Sequence, residues 1–334
     1  MLNVGLLGAG RIGAVHARTI ATHPGSRLAA ISDAITESAA ALAAKMGAEP
    51  RSTEAILADT SIDAVLIATP TNTHSDLIEA ATRAVTAVLG EKPVALSVAG
   101  ARACPAAAAA TGQPVMIGFN RRFDPNFAAL KGAAERGEIG KPELLSITSF
   151  DPAPPPVSYV KVSGGLFRDM MIHDFDVALW IMGAMPSRVI AVGAAIVDPE
   201  IGAAAVLDHR HRTMGESERD DRGVHVTRRA VYGYDQRIEL LGSEGLLSAG
   251  NVLENTVSKA TTAGISSAKP EHFFLERYGR AYAAEWAAFV AAVESGGPMP
   301  VTLADGVKAL ALAEAATRSA QTGAAADPAP LLQG

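Results

Sequence analysis

The chain has 334 residues, 49% of them hydrophobic and 19% charged, with a formal net charge of −6. That length suits two domains, and the mild negative charge gives no electrostatic case for binding nucleic acid or an anionic membrane surface. The single cysteine, Cys104, excludes an internal disulfide and fits a reducing cytosol.

No basic segment leads into an apolar run at the N-terminus, and no apolar run is long enough to span a membrane, so the chain reads as cytoplasmic. Leu2 to Leu7 is a short apolar run suited to a buried parallel strand. It enters Gly8-Ala9-Gly10-Arg11-Ile12-Gly13, and a helical pattern follows through Ile20. Leu28 to Ser32 is the next strand and ends at Asp33. A lone GxGxxG is weak. Set between a strand and a helix, with an acid closing the following strand, it points to a dinucleotide. The glycines let a pyrophosphate approach the helix N-terminus, and Asp33 can accept hydrogen bonds from the ribose hydroxyls. Asp33 would repel a 2′-phosphate, and Ala34-Ile35 offers no arginine to receive one, so NAD is expected rather than NADP.

The alternation of strand and helix continues. Helices are expected at 38–46, 53–57 and 76–83, and strands at 64–68, 87–89 and 114–119. Thr69-Pro70-Thr71-Asn72-Thr73-His74 and Gly90-Glu91-Lys92-Pro93 both follow strands, on the edge where doubly wound sheets bind ligands. Lys92 can there hydrogen-bond a substrate hydroxyl. Asn120-Arg121-Arg122 closes the last of these strands. The expected first domain is an α/β Rossmann fold, a doubly wound parallel sheet, over residues 1–120.

Beyond residue 121 the pattern changes. A helix over 124–136 and a strand over 143–150 lead into the stiff loop Asp151-Pro152-Ala153-Pro154-Pro155-Pro156. Gly164-Gly165 then opens one helix expected to run through Ile181. On a continuous helix Asp169 and His173, four apart, share a face. A carboxylate there can orient the imidazole of a general base. Strands at 189–197, 237–241 and 245–248, and closing helices at 281–294 and 302–321, complete residues 121–334. This half is expected to be an α+β domain with a large open, mainly antiparallel sheet, its last helices free to pack back on the first domain.

Together these stretches resemble the Gfo/Idh/MocA oxidoreductases. The resemblance rests on Gly8-to-Gly13, Ala68-Thr69-Pro70 through His74, Glu91-Lys92-Pro93, Gly118-to-Asp124, Asp151-to-Pro156, Gly164-to-Asp176 and Tyr232-Gly233-Tyr234-Asp235. The Arg-Arg-Phe-Asp, Asp-Pro-Ala-Pro and Tyr-Gly-Tyr-Asp stretches point to members that oxidise inositol. The resemblance implies a catalytic trio of Lys92, Asp169 and His173, with His173 removing the hydroxyl proton and Lys92 orienting the hydroxyl. It implies cofactor contacts from Gly8, Gly10, Arg11, Ile12, Gly13, Asp33, Thr69, Pro70, Asn72, His74, Glu91 and Lys92. Asn120, Arg121, Asp151 and Tyr234, with Asp169 and His173, are the implied substrate contacts. It further implies a homotetramer, a polyol substrate and inositol catabolism. A different cyclitol (scyllo- or chiro-inositol), an aldose, or a nucleotide-sensing regulator on the same fold are the alternatives.

Two segments depart from the pattern. Residues 208–222 are dominated by charge and lack an apolar face of period two, so a buried strand there would desolvate charged groups. A solvated loop, an altered contact between subunits or a shifted reading frame would each account for them. His209 and His211 lack further ligands at metal-binding spacing, so no metal is expected. Near the lysine, Thr82 to Thr86 stands where a glycine turn is usual and Gly90 where a cysteine is usual. Pro105 falls inside an expected helix, where it should remove a hydrogen bond and kink it.

Overall fold

The computed structural model describes residues 1–84, 86–156, 159–160, 163–193, 214–215, 221–227 and 230–333. The chain divides into two compact units, Met1–Phe123 with Arg280–Leu310, and Asp124–Gly279 with Ala311–Gly334.

The first unit is built on six parallel strands: β1 (Leu2–Leu7), β2 (Ser26–Ser32), β3 (Glu49–Pro50), β4 (Ala64–Ile67), β5 (Ala87–Glu91) and β6 (Val115–Gly118). Their spatial order is β3-β2-β1-β4-β5-β6, the doubly wound arrangement whose order reverses beside β1. Central strands of such a sheet are covered on both faces and so read as unbroken apolar runs. Val4, Leu6 and Leu7 of β1 and all four residues of β4 are accordingly sealed from solvent. Helices Arg11–Thr22, Thr36–Met46 and His74–Arg83 form the connections. The later helix Gly279–Ser295 also belongs here, and Trp286 donates from its indole nitrogen to Ser26 Oγ at 2.9 Å.

The second unit carries a mixed sheet of β7 (Pro142–Phe150), β8 (Arg188–Val189), β9 (Met214–Gly215), β10 (Asp221–Thr227), β11 (Asp235–Gly242) and β12 (Gly245–Ala249), ordered β12-β11-β7-β10-β9-β8. Only the β7–β10 pairing is parallel; the other four neighbours run antiparallel. A separate hairpin joins β13 (Ser258–Thr261) to β14 (Gly264–Ser267). Along β11 burial alternates, with Ile238 and Leu240 turned inward and Glu239 and Leu241 outward. The inward face packs with Leu145, Ile147, Phe175 and Ile181 in one apolar core.

Three expectations need correction. The single helix over 164–181 is two, Gly165–Asp169 and Ile172–Met182. The ladder is interrupted where Met171 N reaches back five residues to Leu166 O (2.9 Å) and His173 N only three to Met170 O (3.3 Å). Asp169 therefore ends one helix and His173 sits in the first turn of the next. The strand expected at 189–197 is reduced to Arg188–Val189; residues 190–193 carry no strand, and 194–197 fall outside the described residues. As expected at Pro105, the helical stretch is interrupted: it ends as Val98–Ala101 and resumes as Ala103–Thr111, and the proline offers no amide to the Ala101 carbonyl four residues back. The charged stretch ends in a real strand, since Asp221–Thr227 pairs with β7 and buries Arg222, Val224 and Val226. Arg222 is tolerated inside because Nη1 donates to the Ala184 carbonyl at 2.7 Å. The rest of that stretch, apart from the β9 pair, including His209 and His211, lies outside the described residues, as does Val85.

Candidate active site

In the first unit the expected cofactor residues collect at the carboxyl ends of β1, β2, β4 and β5. The chain leaves β1 through Gly8 at φ 107°, a conformation that side chains resist. A Cβ on Gly8 would lie 2.4 Å from the Ala68 carbonyl oxygen beyond β4, and one on Gly13 would lie 2.0 Å from the Gly8 carbonyl oxygen. Gly10, at the N-cap of the following helix, has open space where its Cβ would stand. The turn is thus closed against protein at its two ends and open in the middle, as a pyrophosphate approaching the helix N-terminus requires. Arg11 and Ile12 open that helix, with Arg11 exposed.

Asp33 stands one residue beyond β2. Its Oδ2 accepts from Ala9 N (2.7 Å) and its Oδ1 from Ile35 N (2.8 Å). These bonds fix the carboxylate beside the glycine turn and leave lone pairs for two ribose hydroxyls. The residues present fit a dinucleotide without a 2′-phosphate.

Beyond β4, Thr69 Oγ1 pairs with Thr73 Oγ1 at 2.7 Å, Pro70 O accepts from Thr73 N at 3.0 Å, and Asn72 is exposed. His74 is buried, with Nδ1 2.7 Å from the Pro93 carbonyl and Nε2 2.9 Å from the Thr69 carbonyl. Both ring nitrogens face protein carbonyls, so His74 ties together the loops that follow β4 and β5.

Glu91 ends β5, and its Oε1 accepts from His16 Nε2 at 2.7 Å in full burial. Burial alone would push this carboxyl up. The hydrogen bond from His16 and the electrostatic influence of His16, Lys92 and His74 outweigh it and hold the carboxyl below its ordinary value. Lys92 is half-buried beyond the strand, its amide donating to Glu91 Oε2 at 3.2 Å. Asn120 and Arg121, both buried, begin the turn Asn120–Phe123 after β6.

In the second unit Asp169 and His173, both half-buried, flank the helix break. The Tyr159 phenol donates to Asp169 Oδ1 at 3.0 Å. Asp151 is held at the end of β7 by two backbone bonds, its N to Thr227 O (2.8 Å) and its O from Ala230 N (2.9 Å). Tyr234 is buried, edge-on to Phe273 and Tyr278. Asp235 takes hydrogen bonds from the Tyr232 phenol and from Arg237. Two participants were missed from sequence, His16 and Tyr159. His16 lies on a helix 75 residues before its partner, and Tyr159 bears no periodic relation to Asp169. Only a contact could reveal either.

A doubly wound sheet whose glycine turn, ribose acid and lysine share one edge defines a nucleotide-dependent oxidoreductase. The family model of Gfo/Idh/MocA oxidoreductases with an NAD-binding Rossmann fold matches residues 2–119, and their C-terminal alpha/beta domain matches residues 131–330. The chain belongs to this family, and NAD is the cofactor of its first domain. It is 45% identical over 315 residues to an inositol 2-dehydrogenase of Rhizobium meliloti, covering 94% of this chain and 96% of that one. It is 42% identical over 320 residues to a myo-inositol 2-dehydrogenase of Thermotoga maritima, covering 95% and 96%. A crystal structure of a putative myo-inositol dehydrogenase from Sinorhizobium meliloti superposes with a TM-score of 0.95 at 44% identity, covering 98% and 99%. A scyllo-inositol dehydrogenase from Lactobacillus casei, solved with NAD(H) and scyllo-inositol, gives 0.91 at 28% identity, covering 98% and 99%. Among the described residues no helix is long and apolar enough to cross a membrane.

Two predictions follow from the edge of the first sheet. Gly13→Ala forces the turn open, so both its melting temperature and its NAD affinity fall, the latter by about tenfold, or ~1.4 kcal/mol. Gly10→Ala fills only open space and weakens NAD binding with little change in melting; fluorescence titration with NAD and thermal scans separate the two. For Glu91 the folded pKa lies below the ordinary 4.5, so its contribution to stability is present above that pH and lost as pH falls through the folded value. Glu91→Gln should be about 1–3 kcal/mol less stable than wild type in urea unfolding at pH 7. That gap should narrow steadily as the pH is lowered below 4.5.

Proposed function

We propose that this chain is an NAD-dependent inositol 2-dehydrogenase that oxidises myo-inositol to 2-keto-myo-inositol (scyllo-inosose). The observation that carries the reading is full-length likeness to inositol 2-dehydrogenases at 42–45% identity in a chain that retains Lys92, Asp169 and His173. Bound NAD supplies the nicotinamide carbon that receives the hydride. His173 takes the proton from the same hydroxyl, so the C–H and O–H bonds are exchanged for a carbonyl. Lys92 hydrogen-bonds that oxygen and stabilises the negative charge that grows on it. Asp169 holds the substrate and His173 in register. Asn120, Arg121, Asp151 and Tyr234 recognise the remaining hydroxyls of a neutral polyol through directional hydrogen bonds.

The competing substrate is another cyclitol, since one relative at 33% identity is a scyllo-inositol 2-dehydrogenase. NADH formation over a panel of myo-, scyllo- and chiro-inositol and aldoses decides this; an aldose outperforming every cyclitol overturns the reading. His173→Ala should lose about 10²–10⁴-fold in kcat while its NAD titration is unchanged. Turnover at the wild-type rate would remove His173 from the role of base, and NAD binding without turnover of any polyol by the wild type would favour a nucleotide-sensing regulator.

The assembly we propose is a homotetramer joined through the open face of the second sheet. Leu144, Leu241 and Leu246 stand side by side across three strands, each at least 41% exposed, as an aliphatic row in need of cover. Leu241→Asp should lower the mass seen in analytical ultracentrifugation, and an unchanged mass would move the interface elsewhere.

A further inference from the structure

Tyr159 lies just before the two helices that carry Asp169 and His173. The stiff loop ending at Pro156 turns tightly there, with Tyr159 N and Val160 N both donating to the Pro156 carbonyl at 3.0 and 3.1 Å. Val160 is buried and anchors the turn, while Tyr159 remains 47% exposed. Its phenol reaches Asp169 Oδ1 at 3.0 Å, a donor to a carboxylate ten residues along the chain. Asp169 is the last residue of its helix, and the hydrogen-bond ladder is interrupted just beyond it. A side chain at such a break gets little restraint from its own helix, so an outside donor sets the plane of its carboxylate.

We propose that Tyr159 is a positioning residue for the reaction, holding the Asp169 carboxylate in one orientation toward His173 and the polyol. This rests on the roles given above to Asp169 and His173. A carboxylate offers about four acceptor positions. Tyr159 occupies one on Oδ1 and leaves others for the substrate hydroxyl and the imidazolium that forms when His173 takes its proton.

The test uses the full chain with NAD and myo-inositol, comparing wild type with Tyr159→Phe, Asp169→Asn and the double variant. Tyr159→Phe keeps the ring and removes only the donor. It should lower kcat by about tenfold, the scale of one hydrogen bond to a charged group, with KM for NAD unchanged. Because Tyr159 acts through Asp169, the double variant should be no slower than Asp169→Asn alone. A wild-type kcat in Tyr159→Phe beside a slow Asp169→Asn overturns the proposal and leaves the Asp169 role standing. Losses that multiply in the double variant also overturn it, since Tyr159 would then act by another route. A wild-type rate in Asp169→Asn overturns the role of Asp169 itself, and the positioning proposal falls with it.

Discussion

The buried hydrogen bond from His16 to Glu91 joins the helix that opens at the glycine turn to the strand that delivers Lys92. Helix position and lysine position are thereby set by one contact of 2.7 Å in a site without water competition. His74 extends the network sideways, holding the Thr69 and Pro93 carbonyls on either side of a single ring. Loops at the edge of a parallel sheet are otherwise free to vary. Here three of them are fastened to one another by two histidines and a glutamate, so the cofactor edge arrives preorganised. The Glu91 carboxyl is held below its ordinary value in burial because the His16 hydrogen bond and the neighbouring His16, Lys92 and His74 outweigh the desolvation.

The second unit solves a different problem. Asp169 and His173 stand on either side of a helix break, where the backbone ladder does not dictate side-chain direction. Met170 and Met171 are both buried, so packing into the apolar core fixes the backbone of the break, and the Tyr159 phenol reaches the Asp169 carboxylate from outside the helix. The sheet beneath is mixed, and its one parallel pairing, β7 with β10, brings Thr227 against Phe150 at the end of β7. That pairing also supplies the carbonyl that holds Asp151.

The parallel sheet was legible because its signal is local. An apolar strand, a glycine turn, a helix and an acid within 33 residues can each be read without knowing what packs where. The second sheet was harder. Arg222 looked incompatible with a buried strand until the Ala184 carbonyl, 38 residues away, proved to be its acceptor. Pro105 was legible as a helix interruption because a missing amide acts on its own turn, and the helix breaks at Arg102. The four-residue spacing of Asp169 and His173 suggested a shared helical face, and the break between them removed that simple geometry while leaving both residues half-buried.

The sequence by itself determined the cofactor fold, the preference for a dinucleotide lacking a 2′-phosphate, and the family, because each depends on residue types at short spacing. Tertiary structure alone decided which groups hold those residues in place: His16 on Glu91, His74 between two loops, Tyr159 on Asp169. The physical reason is range. Backbone conformation and apolar periodicity act over a few residues, whereas a hydrogen bond between side chains ten or 75 residues apart exists only once the chain has folded.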